Sequence, residues 1–337
     1  MLLQAVTTEM ARKKRSTQAN ANGDVAVLTK KNEPTEEKED SPLTSTSTSR
    51  NLWVIVAVVF GAIISFLYPS IIAPVAVERS LGDDESPPII EPLRVHDHFT
   101  VLEILPHDPK AFTQGLTYGA GKLWEGTGLY GESELRHIDP STGNVLAKTS
   151  LDSKMFGEGI SYYETQSGQG RLIQFSWKEK TGWIYNADTL ELIKEFIYET
   201  VTGQGWGITY NPKKNEFIVT DGSAHLLFWD AETLQETKRL TVKYVKHDGT
   251  VQEVRHLNEV EYLEDGTILS NVWYQNILIK INLDTAMVDQ VYDFKDLYVD
   301  RAEGADCFNG ISVTDKPNEL WVTGKLWPHM YRVKLFV

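Results

Sequence analysis

One acidic and one basic side chain in this sequence have neighbours that would hold them away from water. Glu158 lies between two glycines, two residues after Phe156, and Lys325 follows a glycine and precedes the apolar residues 326–328. Apolar surroundings raise the pKa of a carboxyl group toward neutral pH, where it can both accept and donate a proton. A lysine ammonium can stabilise negative charge that develops on a reacting oxygen. These two residue types are therefore candidates for a buried acid/base group and a buried cation.

Glu158 belongs to a three-residue motif that recurs five times. In this repeat motif, a polar residue or Trp precedes Gly or Glu, and an aliphatic residue follows. The copies begin at Gln114, Glu158, Trp206, Asn258 and Asn309, which are 44, 48, 52 and 51 residues apart. A repeat of this length is typical of stacked or radially arranged units. In a closed ring, equivalent positions face one centre, so the variable first residues are candidates for a site.

Lys325 belongs to a second set of equivalent positions, at the ends of the second apolar runs. This set comprises Gly128, Trp177, Gly222, Trp273 and Lys325. If both sets line one mouth, they form with Phe112 and Phe156 an aromatic cup with a few polar groups, the usual composition of a small-ligand site. Simpler interpretations stay open: Trp206 could be core, Glu158 a solvated carboxylate, and Asn309 a partner of neighbouring backbone.

Short β-favouring runs separated by turn residues fill each repeat, so the pattern predicts strands and not helices. In the third repeat, the fourth of these runs covers residues 238–244. The second run of every repeat carries an apolar pair: Leu123 and Trp124, Leu172 and Ile173, Phe217 and Ile218, Ile268 and Leu269, Leu320 and Trp321. Four strands per unit of about 40–50 residues are typical of a propeller blade. We predict an all-β fold, a five-bladed β-propeller, in preference to a two-sheet sandwich.

The last repeat has room for only three strands, which would leave an unpaired edge. Residues 98–105 precede the first repeat and have the pattern of a strand. We therefore predict that this N-terminal strand lies beside the C-terminal strand, completes the fifth blade and closes the ring.

Charge and cysteine content exclude several kinds of partner and site. The 337-residue chain has a formal net charge of −14, so no nucleic-acid-binding surface is expected. Cys307 is the only cysteine, which rules out an intrachain disulfide and a metal cage built from cysteines.

The N-terminal part of the chain has the pattern of a membrane anchor. Residues 51–77 contain no charged side chain, and roughly 20 residues span a bilayer core. Basic residues at 12–15 and Arg50 precede this segment and predict a cytosolic N-terminus. A cleavable signal peptide is the alternative, but 50 residues precede the apolar segment. The predicted organisation is a disordered cytosolic tail over residues 1–50, a transmembrane signal-anchor over 51–77, a stalk over 78–94 and a propeller catalytic domain over 95–337.

Seven strings from residue 112 onward resemble, in the same order, those of the plant-type glutaminyl-peptide cyclotransferases, the papaya-latex type of glutaminyl cyclase. They cover residues 112–116, 155–159, 203–207, 257–262, 271–273, 309–311 and 323–328. The resemblance implies a five-bladed propeller that needs no catalytic zinc and no cofactor. It also implies conversion of an N-terminal glutaminyl residue into pyroglutamate with release of ammonia.

The resemblance also assigns site residues. The family's acid/base glutamate matches Glu158, its active-site lysine matches Lys325, and its active-site asparagine matches Asn258. Its substrate pocket matches Phe112, Gln114, Phe156, Trp177, Trp206 and Trp273. The implied partners are peptides and proteins with N-terminal Gln, together with a membrane through residues 51–77. Since nascent secreted peptides pass through the secretory pathway, the expected location is a type II membrane protein with its catalytic domain in the lumen of the endoplasmic reticulum or Golgi.

The proposed cyclisation suits these residues chemically. The substrate's own α-amine attacks its side-chain amide carbon, so the enzyme needs chiefly to fold the side chain into a near-attack shape. One carboxyl group, Glu158, can take a proton from the attacking nitrogen and give one to departing ammonia. Lys325 and the Asn258 amide are candidate donors to the oxyanion.

Two other function classes remain open at this point. A metal-dependent lactonase or esterase propeller would use Glu and Asn oxygens as ligands, although Lys325 in the same mouth would repel a cation. A non-catalytic propeller would present only a binding face, since a fold does not fix a function.

Overall fold

A computed structural model describes residues 95–96 and 99–336, which form 23 β-strands and no helix. The first half of the strands comprises β1 (Val95–His96), β2 (Phe99–Pro106), β3 (Thr113–Gly119), β4 (Lys122–Thr127), β5 (Glu134–Ile138), β6 (Val145–Ser150), β7 (Gly157–Glu164), β8 (Gly170–Ser176), β9 (Thr181–Asn186), β10 (Leu192–Ile197), β11 (Ile208–Asn211) and β12 (Glu216–Val219). The second half comprises β13 (His225–Asp230), β14 (Glu236–Thr241), β15 (Lys243–Val245), β16 (Val251–Glu253), β17 (Leu257–Tyr262), β18 (Thr267–Val272), β19 (Ile277–Asn282), β20 (Val288–Asp293), β21 (Phe308–Val313), β22 (Glu319–Gly324) and β23 (His329–Leu335).

Twenty of these strands form five antiparallel sheets of four strands each, which are the blades of a propeller. Blades one to four are β3–β6, β7–β10, β11–β14 and β17–β20, and blade five is β21–β23 with β2 as its outer strand. The short strand β1 adds to the outer edge of blade four in parallel. The prediction of a five-bladed β-propeller is confirmed.

The ring closes as predicted from residues 98–105. Strand β2 pairs antiparallel with β23, with a register that runs from Phe99 opposite Leu335 to Pro106 opposite His329. The innermost strands contact each other in the cyclic order β3, β7, β11, β17, β21 and back to β3. Blade five therefore combines strands from both ends of the propeller, which protects the edge that three strands would leave open.

Five hydrophobic clusters form the core, one between each pair of adjacent blades. The apolar pairs of the second strands explain this arrangement, because successive side chains of a strand point to opposite faces. Phe217 packs toward blade two, and its neighbour Ile218 packs toward blade four. The other four pairs divide in the same way, so each blade supplies apolar side chains to both of its interfaces.

The glycine of the repeat motif lies where adjacent innermost strands approach most closely. Gly159 donates its backbone N–H to the carbonyl of Trp206 at 2.8 Å. A Cβ on Gly159 would lie 2.7 Å from that same carbonyl oxygen, and a Cβ on Gly207 would lie 2.3 Å from the Asn258 carbonyl oxygen. The motif therefore recurs because the blades touch through backbone at these points.

The strand predicted over residues 238–244 both begins and ends earlier, at Glu236 and Thr241. Strand β14 ends at Thr241, and the chain then leaves blade three to form the separate hairpin β15–β16. Val242 lies at the break and is fully buried. Its N–H still donates to the Ala224 carbonyl beside β13, whereas its carbonyl accepts from Val254, just after β16, so the chain passes here from blade three to the hairpin.

The predicted tail (residues 1–50), signal-anchor (51–77) and stalk (78–94) lie outside the described residues. Within residues 95–96 and 99–336, no helix has the length and apolar character needed to cross a membrane.

Candidate active site

The two sets of equivalent positions lie at the same end of the blades. Each innermost strand is antiparallel to the second strand of its blade, so the start of one pairs with the end of the other. In blade one Thr113 pairs with Thr127, and in blade two Gly157 pairs with Ser176. The repeat motif therefore begins beside the turns that carry Trp177 and Lys325.

A β-bulge marks the repeat motif in four of the five blades, a feature that the sequence pattern did not predict. Register shifts occur between Thr113 and Gly115, Gly157 and Ile160, Leu257 and Val260, and Phe308 and Ile311. A bulge inserts an extra residue into one strand and re-aims its side chain. The inserted positions include Gln114, Glu158, Asn258 and Asn309, which are the first residues of the motif.

Glu158 is buried at the start of blade two, with 5 % of its surface exposed. Its Oε1 accepts a hydrogen bond from Nε2 of Gln114 at 3.0 Å. Burial raises the pKa of the Glu158 carboxyl well above its usual value; the Lys325 ammonium opposes this shift and the Glu179 carboxylate adds to it. A carboxyl group of this kind can exchange protons near neutral pH.

Lys325 is equally buried, at 5 % exposure, in the turn between β22 and β23. Its Nζ lies 4.8 Å from the centre of the Phe112 ring, within range of a cation–π interaction. The next residue, Leu326, has a left-handed φ of 60° and donates its N–H to the Ala111 carbonyl at 2.7 Å. The lysine-bearing turn is thus attached to the strand entry of blade one, next to Phe112.

A buried ionic network secures this junction between blades five and one. Nδ1 of His107 bonds the Trp327 carbonyl, and Nε2 bonds Oε1 of Glu125, both at 2.8 Å. A carbonyl oxygen only accepts, so Nδ1 carries a proton, and pairing with a carboxylate places a second proton on Nε2. Burial alone would lower the pKa of His107, but the adjacent Glu125 carboxylate reverses this, and the pKa lies above its usual value. The charged pair holds the lysine-bearing turn against blade one.

Five aromatic side chains form an arc across blades one to four, which we call the aromatic cup: Phe112, Phe156, Trp177, Trp206 and Trp273. Phe112 meets Phe156 edge-on at 6.0 Å between ring centres, and Phe156 lies 5.5 Å from Trp177. Trp206 meets Trp273 edge-on at 5.4 Å. Phe156 and Trp206 are buried, whereas Phe112, Trp177 and Trp273 are partly exposed. The structure brings the predicted aromatic residues together in two contact groups: Phe112, Phe156 and Trp177 form one, and Trp206 and Trp273 form the other.

Gln204 connects the two halves of the aromatic cup. Its Oε1 accepts a hydrogen bond from Nε1 of Trp177 at 2.6 Å and another from Nε1 of Trp206 at 3.1 Å. The sequence analysis did not select Gln204, although it belongs to the matched string 203–207. Within this string, the repeat motif selects Trp206 and not Gln204, because only Trp206 is the first residue of a motif copy.

Tyr130 and Glu179 are two further residues at the site that the sequence analysis missed. The Tyr130 hydroxyl donates to Oε1 of Glu179 at 2.7 Å, and its ring lies 5.3 Å from that of Phe156. Both residues come from turns after second strands, where no periodic pattern exists. Their place at the site follows from the fold, which brings the turns of blades one and two side by side.

Asn258 and Asn309 occupy the same motif position in blades four and five but have different environments. Asn309 donates from Nδ2 to the Thr113 carbonyl at 3.1 Å and so links blade five to blade one through backbone. The Asn258 side chain is buried, and its Oδ1, like that of Asn309, has no hydrogen-bond partner among the described residues. The catalytic assignment of Asn258 stays a prediction.

Two buried glutamates at the propeller centre were not expected. Glu259 stands where the other four copies of the motif have glycine. Its carboxyl group accepts from the backbone N–H groups of Leu116 and Ile311. Glu261 accepts from the backbone N–H of Val313 at 2.9 Å. Burial raises the pKa of both carboxyl groups, to about 7 for Glu261. These glutamates join blade four to blades one and five.

Metal-ligand clusters were sought within the same part of the chain. Among the residues that the structure describes, no three or more His, Cys, Asp or Glu side chains are grouped so that they could hold a metal ion.

Comparison with known proteins shows the family of the chain. Residues 81–335 match the family model described as glutamine cyclotransferase. A glutaminyl-peptide cyclotransferase of Arabidopsis thaliana is 36 % identical over 247 residues, which is 72 % of each chain. The crystal structure of Myxococcus xanthus glutaminyl cyclase superposes with a TM-score of 0.61 at 26 % identity, covering 70 % of this chain and 96 % of that one. The chain belongs to the glutamine cyclotransferase family.

Proposed function

We propose that the propeller converts N-terminal glutaminyl residues of peptides and proteins into pyroglutamate with release of ammonia. The observation that carries this proposal is the buried Glu158 carboxyl group, which is held by Gln114 and lies within the field of Lys325. The family membership and the name of the Arabidopsis relative support the same activity.

In the proposed reaction, the substrate's α-amine nitrogen forms a bond with its own side-chain amide carbon, and the bond from that carbon to the amide nitrogen breaks. Glu158 takes a proton from the attacking nitrogen and delivers it to the departing nitrogen, which leaves as ammonia. One residue can perform both transfers because the carboxyl group returns to its starting state. The raised pKa of Glu158 suits this exchange at neutral pH.

Lys325 stabilises the negative charge that develops on the amide oxygen in the tetrahedral intermediate. A buried ammonium is effective here because the charge interaction is stronger where water is excluded. The amide of Asn258 is the second proposed donor. The Phe112 ring contacts the lysine ammonium and helps to fix its position.

The aromatic cup folds the short side chain of the substrate so that amine and amide meet. Fixed orientation of two groups in one molecule can lower a barrier by several kcal/mol. Edge-on contacts between Phe112 and Phe156, and between Trp206 and Trp273, give the cup defined walls. Gln114 holds the Glu158 carboxyl group by donating a hydrogen bond to it.

The decisive experiment measures ammonia release and pyroglutamate formation from a peptide with N-terminal Gln. Glu158→Gln keeps the shape of the side chain and removes the proton shuttle, so we expect turnover to fall by about 10²–10⁴-fold. Glu132→Gln, an exposed glutamate, is the matched control and should retain activity. Wild-type turnover that persists in Glu158→Gln would overturn the assignment of Glu158.

The same assay separates the other two function classes. Activity that survives strong chelation would exclude a metal-dependent lactonase or esterase mechanism. A wild-type protein that binds Gln-initiated peptides without releasing ammonia would be a non-catalytic binding propeller instead.

We further propose that residues 1–50 form a disordered cytosolic tail, that residues 51–77 anchor the chain in the membrane and that residues 78–94 form a stalk. This places residues 95–337 in the lumen of the endoplasmic reticulum or Golgi, as a type II membrane protein. The uncharged sequence of residues 51–77 and the basic residues before it support the proposal. In sealed microsomes, added protease should remove only the tail. Digestion of the propeller without detergent would contradict this orientation.

A further inference from the structure

We propose that Gln204 is a positioning residue that fixes the two tryptophans of blades two and three in a single arrangement for substrate binding. Its Oε1 is the shared acceptor for the indole N–H groups of Trp177 and Trp206, at 2.6 and 3.1 Å. An amide oxygen has two lone pairs and can accept both bonds at once. Gln204 thus sets the distance and angle between two walls of the aromatic cup.

The backbone that carries Gln204 is itself held in place. The Gln204 carbonyl accepts from the Thr200 hydroxyl at 2.6 Å, and the next residue, Gly205, donates its N–H to the Trp177 carbonyl at 2.8 Å. Thr202 donates to Asp221 through both its N–H and its hydroxyl. The segment between β10 and β11 is therefore fixed to blades two and three, so the amide oxygen has a defined position.

Gly205 allows this close approach. A Cβ at this position would lie 2.4 Å from the Phe175 ring and 2.6 Å from the Tyr198 hydroxyl. That hydroxyl donates to the Ser176 carbonyl at 2.6 Å, at the end of the strand that leads to Trp177. The backbone on both sides of Gln204 thus packs directly against the strand end that bears one of its two tryptophans.

The consequence for the cup follows from its geometry. Phe156 contacts Trp177 on one side, and Trp273 contacts Trp206 on the other. The described ring contacts do not include a direct one between the two tryptophans that Gln204 joins. Without the shared acceptor, the Trp177 ring would keep its contact with Phe156, and the Trp206 ring its contact with Trp273, but nothing would fix the two rings relative to each other. This inference rests on the proposed function, in which the cup folds the glutaminyl side chain.

The test compares three substitutions in the full-length chain. Gln204→Leu keeps the approximate size and removes the acceptor, and we expect kcat/KM for a Gln-initiated peptide to fall by about 10–100-fold, mainly through kcat, because misplaced walls lower the population of near-attack geometry. Gln204→Glu keeps an acceptor oxygen at the same chain length and should recover most of the activity at its own pH optimum. Gln235→Leu, an exposed glutamine on another face, is the control.

A double-mutant cycle separates positioning from a general effect on folding. Trp177→Phe removes one indole N–H, so Gln204→Leu should cost much less in that background than in the wild type. Equal losses in both backgrounds, or a Glu variant as impaired as the Leu variant, would overturn the inference. If Gln204→Leu does not fold, Gln204→Asn, whose shorter side chain cannot reach both indoles, takes its place.

The outcomes also distinguish this inference from the proposed function. If wild type releases ammonia and Glu158→Gln does not, the function stands, and Gln204→Leu within twofold of wild type would refute the positioning role alone. If wild type releases no ammonia, the proposed function fails. The inference then still predicts that Gln204→Leu, but not Gln204→Glu, weakens binding of a Gln-initiated peptide, and unchanged binding would refute it.

Discussion

Nε2 of Gln114 donates a hydrogen bond to Oε1 of Glu158 across 3.0 Å, and this contact joins the first motif residues of blades one and two. Both side chains project from bulged positions at the start of innermost strands. Because one carboxyl oxygen is occupied as an acceptor, the proton of the neutral carboxyl group belongs on Oε2. The neighbouring blade therefore decides which oxygen of Glu158 exchanges protons with the substrate.

The first prediction concerns this contact. Gln114→Met keeps the length of the side chain and removes the donor, so Glu158 loses a hydrogen bond worth about 1.5–3 kcal/mol when the acceptor is charged. We expect kcat on a Gln-initiated peptide to fall by roughly tenfold or more, with the fold intact by circular dichroism. Gln235→Met is the control on an exposed surface. An unchanged kcat would show that the orientation of Glu158 does not depend on Gln114.

The second prediction concerns the pH dependence of turnover. Burial raises the pKa of Glu158, Glu179 raises it further, and Lys325 lowers it. If Glu158 must be ionised to accept the proton of the amine, it sets the acidic limb of the pH profile of kcat/KM. Removing the negative charge in Glu179→Gln should move this limb to lower pH. Removing the positive charge in Lys325→Met should move it to higher pH, besides lowering kcat.

Glu132→Gln changes the net charge by the same amount at an exposed position and should leave the profile unchanged. Shifts of the same sign in Glu179→Gln and Lys325→Met would mean that the limb belongs to another group.

The repeat made much of this site predictable from sequence. Equivalent positions in a closed ring must share one end of the blades, so the spacing of the motif was enough to select Glu158 and Trp206, and the strand ends selected Lys325. The closing strand was predictable for a related reason, since three strands in the last blade require a fourth. The repeat pattern and the propeller topology were therefore enough to predict these three residues and the closing strand without any information on side-chain contacts.

Contacts between irregular segments could not be predicted in this way. Gln204, Tyr130 and Glu179 lie in turns whose side chains have no periodicity, and their partners come from other turns. The bulges were also missed, because a one-residue insertion does not disturb the apolar pattern on either side. Glu259 was not selected, because only the first residue of each motif copy was taken as a candidate for the site. At this position a carboxyl group spans the centre and replaces close backbone contact.

The third prediction tests the close contact between blades two and three. In Gly159→Ala the new Cβ would lie 2.7 Å from the Trp206 carbonyl oxygen and 2.9 Å from the Gly207 Cα, both backbone atoms. Since backbone cannot rotate away, the blades must separate, and we expect a loss of about 1–3 kcal/mol in the free energy of unfolding. Denaturant titration measures it, with Asp289→Ala at an exposed position of strand β20 as the control. Wild-type stability in Gly159→Ala would mean that the motif glycine is not required by packing.

The fourth prediction concerns Glu261 and the pH dependence of stability. Its carboxyl group joins Val313 of blade five and Thr209 of blade three, and burial raises its pKa from 4.5 to about 7. Between these two pH values the folded protein retains a proton that the unfolded chain has released. The resulting stabilisation is complete below about pH 4.5 and is lost as the pH rises to about 7, for a total of about 3 kcal/mol.

Glu261→Gln tests this directly, because glutamine resembles the protonated carboxyl group and does not titrate. The free energy of unfolding of the variant, measured relative to wild type, should therefore rise between pH 4.5 and 7. Taking the difference removes the contribution of Glu158, which titrates in both proteins. The charge of Glu261 also raises the pKa of Glu259, so the difference includes this coupling. Glu132→Gln, at an exposed position, should show no such rise. A difference that stays constant over this range would mean that Glu261 is ionised in the folded protein, with the backbone N–H of Val313 compensating for its burial.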